Sequence, residues 1–272
     1  MRKTVYLVGG KGYIGSSLGR FLSQLGDWAP EYLDLKDGFD ARKEKPPADN
    51  NLVIWLASPH ELEPVELEPA WDSYYQDTMI YAPKRWVAAG HPMIYISSMR
   101  AMTSTKFIYG RVKEAAEKYL LGPDVTIVRP GTVWGPPQSP DSPIRVHTAM
   151  NYALVSGKFT GDGWKSYTCY LPVLLNILRK EVGSRGLGSS LGRAVNAIDS
   201  WMQPMTATKI RSLLAGECDA NSTYVRQFEQ SRQIIAERGI RLSNDYDSMA
   251  AVAQRFELPY EGKSWMDGNE YE

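Results

Sequence analysis

Apolar positions in the first half of the chain switch between two periods. Thr4-Val5-Tyr6-Leu7-Val8 is a short, largely apolar run of the kind a buried strand requires, and Ile14, Leu18, Phe21, Leu22 and Leu25 then recur at helical spacing until Gly26 stops them. Further strands are predicted over Glu31–Leu35, Leu52–Leu56, Met93–Ser97 and Val125–Val128. Helical material fills Trp71–Ala89, and a helix from Thr105 carries Ile108, Val112, Ala115, Ala116, Tyr119 and Leu120 before Gly122-Pro123 ends it. Strands alternating with helices specify parallel pairing through crossovers, hence a doubly wound α/β sheet.

The alternation fades after Gly135, where Pro136, Pro137, Pro140 and Pro143 form the most proline-dense stretch. The sequence therefore predicts a first domain over residues 1–135 and a smaller C-terminal lobe over 136–272, with one strand near Ala194–Ile198 returning to the first domain. Helices are expected around Ile144–Val155, Pro172–Lys180, Thr206–Leu214 and Val225–Arg238, and the Gly- and Ser-rich stretch Gly183–Gly192 reads as a loop. No internal repeat is visible.

Composition narrows the class. Of 272 residues, 43% are hydrophobic and 23% charged, which suits a globular protein and excludes disorder. Lys plus Arg and Asp plus Glu balance at 31 each, so no overall field favours nucleic acid or an acidic membrane. Cys169 and Cys218 cannot build a disulfide framework, and His60, His91 and His147 lack metal-ligand spacing, so a reducing compartment and no metal are expected. The apolar run after Met1-Arg2-Lys3 ends at Gly9-Gly10, too short for a signal peptide, and no stretch reaches the ~20 apolar residues of a membrane span. The expected location is cytoplasmic.

The chemistry starts at Gly9-Gly10-Lys11-Gly12-Tyr13-Ile14-Gly15, between the first strand and the first helix. This is the setting of a Rossmann-type dinucleotide-binding turn: Gly9 for the tight turn, Gly12 for close approach of a pyrophosphate, Gly15 for helix–strand packing. Tyr13 and Ile14 open the helix, whose N–H groups and positive dipole end suit phosphates. Asp34 closes the second strand 25 positions after Gly9, where a carboxylate can accept from the adenosine ribose hydroxyls and favours NAD. Lys11 and Lys36 leave NADP open, since either could pair with a 2′-phosphate.

Tyr109 and Lys113 stand four apart on one helix and share a face, so an ammonium and a cationic nicotinamide would lower the tyrosine from its usual value of ~10 and make it an acid/base. Tyr32 and Lys36 have the same spacing but fall on a predicted strand, over ~10 Å apart at ~3.3 Å per residue. Ser98, 11 positions before Tyr109 at the end of a strand, can hydrogen-bond the substrate oxygen, with Ser97 as the alternative. The plainer alternatives are an ordinary glycine turn, an exposed carboxylate and two serines satisfying backbone groups.

At this point the chain resembles the extended short-chain dehydrogenase/reductases, the NAD-dependent epimerases and dehydratases. The resemblance runs through Gly9–Gly15, Leu33-Asp34, Phe39–Arg42, Leu56-Ala57-Ser58, Ile94–Ser98, Tyr109–Lys113 and Val128–Pro136, most of the chain in order. It implies Ser98, Tyr109 and Lys113 as catalytic residues, Asp40 and Ala41 at adenine, Leu56, Ala57 and Ser58 on the ribose side, and Pro130, Gly131, Thr132 and Val133 at nicotinamide. Tyr109 and Lys113 would also hold the cofactor. Gly161-Asp162-Gly163 and Val195-Asn196 look like the family's substrate-lobe landmarks, and a homodimer through the Tyr109 helix is implied.

The chain also departs from that family. The tyrosine-glycine loop that members carry between serine and tyrosine is nearly absent, and Lys165-Ser166-Tyr167-Thr168-Cys169 stands where relatives carry an Arg-Asp-Phe run. Ser98 precedes Met99-Arg100 instead of an Asp-Glu pair, which argues against 4,6-dehydratase chemistry. The resulting expectation is an NAD(P)-dependent epimerase or ketoreductase for a sugar nucleotide or similar small hydroxyl or carbonyl substrate. The alternative is a non-catalytic NAD(P)-binding sensor on the same fold.

Overall fold

The computed structural model describes residues 2–58, 69–103, 108–136, 144–145, 149–159, 165–185, 193–199, 204–240 and 242–243. In chain order the elements are β1 (Lys3–Val8), α1 (Tyr13–Leu25), β2 (Trp28–Leu33), β3 (Leu52–Trp55), α2 (Pro69–Gln76), α3 (Ala82–Ala88), β4 (Met93–Ile96), α4 (Arg100–Thr103), α5 (Ile108–Leu120), β5 (Val125–Pro130), β6 (Thr132–Trp134) and β7 (Ile144–Arg145). They continue as α6 (Ala149–Ser156), β8 (Lys165–Ser166), β9 (Thr168–Tyr170), α7 (Leu171–Arg185), β10 (Arg193–Ala197), β11 (Met205–Thr206), α8 (Ala207–Ala215), α9 (Thr223–Arg238) and β12 (Leu242–Ser243).

Contacts divide the chain into two units, Met1–Pro130 with Leu174–Ala197, and Gly131–Val173 with Ile198–Glu272. The division thus falls at Pro130–Gly131, a few residues ahead of the proline-dense stretch. Those prolines, from Pro137 on, lie outside the described residues, as do Gly161-Asp162-Gly163.

The first unit is built on one six-stranded sheet in the order β2-β1-β3-β4-β5-β10, every pair parallel. All four residues of β3 and of β4 are buried, as strands covered on both faces must be. The order reverses at β1, so the crevice between the C-terminal ends of β1 and β3 is the topological switch point where such sheets bind ligands.

Three local features of this unit have physical causes, and the first two depart from the sequence reading. The second strand starts at Trp28 and ends at Leu33, because Pro30 is tolerated on an edge strand and Asp34 caps a short 3₁₀ turn over Leu35–Asp37. The helical run through Ala88 contains a π-turn over Asp77–Tyr81. Within it, the carbonyls of Thr78 and Met79 accept from the Trp55 indole at 3.2 Å and the Tyr95 hydroxyl at 3.0 Å, which satisfies buried backbone groups. After Gly38 no strand forms before β3, and the buried His91 ring holds this segment, its nitrogens 2.9 and 3.1 Å from the carbonyls of Asn51 and Pro47.

The second unit packs α6, α8 and α9 around Trp134, Met150, Tyr170, Met205, Phe228 and Ile235. Asp199 pins its interior: the buried carboxylate accepts from the Trp134 indole at 2.9 Å, the Thr168 hydroxyl at 2.7 Å and the Tyr170 N–H at 2.6 Å. Burial raises this carboxyl, and those three donors hold it back. Two expectations are corrected here. Ile144-Arg145 pair as a strand with β12, and the helix expected from Ile144 begins at Ala149. A loop is expected from Gly183, but α7 continues through that glycine to Arg185, and residues 186–192 lie outside the described residues.

Candidate active site

The glycine turn sits at the switch point. Gly9 has φ +78°, and a Cβ there would lie 2.6 Å from the Ala57 nitrogen, so only glycine lets the turn after β1 meet the chain leaving β3. A Cβ on Gly15 would lie 2.5 Å from the Gly10 carbonyl oxygen, so this glycine seats α1 against the turn. Gly12 caps α1 in extended conformation with no side-chain hydrogen bond, and Tyr13 and Ile14 open the helix directly after it.

Asp34 ties the turn to β2. Its carboxylate accepts from the Lys11 N–H at 2.8 Å and the Lys36 N–H at 3.0 Å. A carboxylate has about four acceptor sites, so capacity for hydroxyl donors remains. The Lys11 ammonium pairs with Asp37, and Lys36 Nζ donates to the Lys11 carbonyl at 3.4 Å.

Asp40 is also buried, but its carboxylate is taken up by a two-pronged bond from Arg42, at 3.0 and 2.8 Å. Burial pushes this carboxyl up, and the hydrogen bonds and charge of Arg42 outweigh it, leaving it below the ordinary range. The Arg42 guanidinium lies over the Tyr74 ring at 4.6 Å, and Arg85 donates to the Ala41 carbonyl at 3.0 Å. The Asp40 side chain is thus committed to its own loop.

Leu56, Ala57 and Ser58 carry the chain from β3 towards the tyrosine. The Leu56 N–H donates to the Val8 carbonyl at 2.8 Å, Ala57 abuts Gly9, and Ser58 is hydrogen-bonded with the Tyr109 hydroxyl. Ser98, just past β4, is hydrogen-bonded with the same hydroxyl and caps α4 by accepting from the Arg100 N–H at 3.2 Å. Ser97 faces elsewhere, donating to the buried Glu117 carboxylate at 2.5 Å. The two serines that the sequence left as alternatives are therefore separated by direction.

Tyr109 and Lys113 meet on α5 as their spacing requires. Lys113 is 1% exposed; its Nζ donates to the Ile96 carbonyl at 2.8 Å and lies 4.8 and 5.6 Å from the ring centres of Tyr95 and Tyr109. Burial lowers this lysine to about 7 against the opposing charge of Glu117. Tyr109 differs from expectation: burial raises it above its ordinary value, opposed by Ser58, the Arg100 charge and Ser98. The downward shift expected from the sequence is absent in the protein alone, because burial penalises the phenolate.

The division between the units falls within the Pro130–Val133 segment. Pro130 closes β5 and accepts from the Met99 N–H at 2.9 Å, while Gly131, Thr132 and Val133 open the second unit. A Cβ on Gly131 would lie 2.5 Å from the Tyr167 carbonyl oxygen, which also accepts from the Thr132 N–H at 2.7 Å; Val133 is buried in β6. The Thr132 hydroxyl meets that of Ser166 at 2.6 Å.

The sequence reading missed Arg42, Arg100, Glu117 and Arg129. Glu117 had a visible signal, the continuation of the Tyr109–Lys113 spacing by four more residues, and so did Arg129, a charge inside the apolar strand β5. Among the described residues no group of three or more His, Cys, Asp or Glu side chains could hold a metal, and no helix is long and apolar enough to cross a membrane. A groove of about 1070 Å³ beside α6 and α9, lined by Leu154, Arg226, Glu229 and Ile235 among others, involves none of the candidate-site residues.

No protein-family model matches the sequence, and no curated protein does. Solved structures do match. An NAD-dependent NDP-hexosamine 5,6-dehydratase involved in tunicamycin biosynthesis aligns with TM-score 0.59 and 16% identity over 87% of this chain and 97% of its own. UDP-glucuronic acid 4-epimerase from Bacillus cereus, in complex with UDP-glucuronic acid and NAD, gives TM-score 0.60 and 16% identity over 86% and 99%. The dTDP-glucose 4,6-dehydratase of Bacillus anthracis, in complex with NAD, gives 0.60 and 12% over 86% and 97%. At these identities the likeness establishes the fold alone: the chain has a Rossmann-type α/β architecture.

Proposed function

We propose that this protein is an NAD(P)-dependent epimerase or ketoreductase, acting on a sugar nucleotide or similar small hydroxyl or carbonyl substrate, with Tyr109 as its acid/base. The observation that carries this reading is the Tyr109 hydroxyl, hydrogen-bonded with Ser98 and sharing one helix face with the buried Lys113. A protein that only binds a nucleotide needs no such proton relay. The matching 4-epimerase, with NAD and a sugar nucleotide bound, supports the cofactor and substrate class.

The residues present fit a dinucleotide. Gly9, Gly12 and Gly15 shape a turn with no side chain at the α1 cap, and Asp34 keeps acceptor capacity for ribose hydroxyls. NAD is favoured over NADP because Lys11 is paired with Asp37 and Lys36 is turned to the Lys11 carbonyl. Ala41, Leu56, Ala57 and Ser58 line the adenosine and ribose side in this reading, Lys113 holds the nicotinamide ribose, and Pro130–Val133 face the ring. Asp40 serves there through its loop, since Arg42 occupies its carboxylate.

When bound, the cofactor supplies two-electron redox chemistry at the carbon bearing the reacting oxygen. Tyr109 gives or takes the proton at that oxygen, and Ser98 orients it. The second unit is read as the substrate lobe. NADH absorbance during turnover tests the reaction type: one-for-one consumption marks a ketoreductase, and turnover without net change marks an epimerase.

A homodimer through the α5 face completes the reading. Tyr119 on α5 is 62% exposed, Leu121 just past it 57%, and Lys84 of α3 lies 5.4 Å from the Tyr119 ring. Sedimentation at micromolar concentration should give a dimer that Tyr119→Glu with Leu121→Glu converts to monomer; a monomeric wild type would contradict it.

A further inference from the structure

Lys113 is a buried ammonium whose nearest partners are neutral: the Ile96 carbonyl at 2.8 Å, the Tyr95 hydroxyl at 3.4 Å, and the two tyrosine rings. These solvate a cation without neutralising it. The carboxylate that acts on Lys113 is Glu117, one turn further along the same face of α5. Tyr109, Lys113 and Glu117 thus follow one another at helical spacing.

Glu117 is fixed from the strands beneath the helix. Ser97, from the end of β4, donates to it at 2.5 Å, and Arg129 of β5 donates through Nε at 2.9 Å to each oxygen and through Nη2 at 2.6 Å. Among the described residues the charged and titratable groups around this row are Tyr95 from β4, Arg129 from β5, Tyr109 from α5 itself and Arg100 of α4, whose charge acts on Tyr109. Tyr95 stays a neutral hydroxyl, raised well above its ordinary value by burial and by the charges of Tyr109 and Glu117.

We propose that Glu117 is a positioning residue that, pinned by Arg129 and Ser97, keeps the Lys113 ammonium charged and in place beside Tyr109. This rests on the reading above for its importance to cofactor and catalysis, but the charge on Lys113 can be read without either. Burial already brings Lys113 to about 7 with Glu117 in place. Removing the carboxylate leaves burial unopposed, and the lysine, already near its titration point with Glu117 in place, moves further towards its neutral form.

The experiment is a pH titration of lysine Nζ by NMR on protein labelled with ¹³C,¹⁵N-lysine, the Lys113 signal identified by its loss in Lys113→Met. Glu117→Gln should move the Lys113 midpoint to lower pH by about 1 unit. Glu117→Asp should restore part of the shift. NADH affinity of Glu117→Gln should fall more at pH 8 than at pH 6. Because Glu117→Gln leaves Arg129 as an unpaired cation, the double variant Glu117→Gln/Arg129→Met is the second test, with a downward shift smaller than in Glu117→Gln because the repulsion from Arg129 is removed together with the carboxylate. An unchanged midpoint in both variants, with affinity lowered equally at both pH values, would overturn the proposal and make Glu117 a packing residue. Wild-type protein that binds no NADH at either pH would instead overturn the functional reading, the midpoint still deciding the charge on Lys113.

Discussion

Lys113 Nζ lies 5.6 Å from the centre of the Tyr109 ring, yet burial drives the two groups in opposite directions. Each moves towards its neutral form, the lysine down to about 7 and the tyrosine above its ordinary value. Tyr109 is therefore a phenol ready to donate, and Lys113 an ammonium near its titration point.

That arrangement has a defined pH signature. The Lys113 ammonium is present below about 7 and lost above it, so NADH affinity measured by fluorescence should fall as pH rises through that value. Stability should move the other way. From about 7 up to the ordinary lysine value of ~10.4, the unfolded chain holds a proton that the folded chain does not, so this site's contribution to stability rises with pH. Lys113→Met should bind NADH weakly at every pH and lose both dependences; a wild-type affinity flat from pH 6 to 9 would contradict the assignment.

The two serines after β4 should separate by assay. Ser98→Ala removes a hydroxyl that meets Tyr109 and should cost roughly 10²-fold in turnover, as loss of an oriented donor does, with little change in melting temperature. Ser97→Ala leaves the buried Glu117 short of a donor and should cost about 1–3 kcal/mol of stability, with a smaller effect on turnover. Reversal of this pattern would exchange their roles.

Gly9 and Gly26 share a left-handed backbone but not a neighbour. Both have positive φ, +78° and +82°, but a Cβ on Gly9 strikes Ala57 whereas one on Gly26 meets nothing within 4 Å. Each alanine variant should be destabilised by backbone strain, about 1–3 kcal/mol. Only Gly9→Ala should also lose NADH binding by calorimetry; equal binding by both would separate the turn from the cofactor.

Much of this was legible in the sequence because the deciding features are local. The glycine turn, Asp34 and the four-residue step from Tyr109 to Lys113 depend on one strand end or one helix face, and the structure brings the turn, Ser58, Ser98, Tyr109 and Lys113 to one end of a single sheet. Features that depend on distant partners were not legible. Pro30 argues against a strand until β2 is seen at the sheet edge, and the π-turn after Gln76 depends on donors from Trp55 and Tyr95. Likewise, no local pattern shows that Arg42 occupies Asp40, or that burial raises Tyr109 despite a lysine beside it.

Tyr109 is the residue on which the enzyme reading turns, and one substitution isolates its proton. Tyr109→Phe keeps the ring and its packing over Lys113 and removes only the hydroxyl that Ser58 and Ser98 hold. General acid/base groups contribute ~10²–10⁴-fold, so on a substrate identified by mass spectrometry of small molecules carried through purification, turnover should fall by that order. NADH affinity measured by calorimetry on the same preparation should change far less. Full turnover by Tyr109→Phe would contradict the account, and the absence of any turnover or carried substrate in the wild type, with NADH bound, would favour a cofactor-binding sensor on this fold.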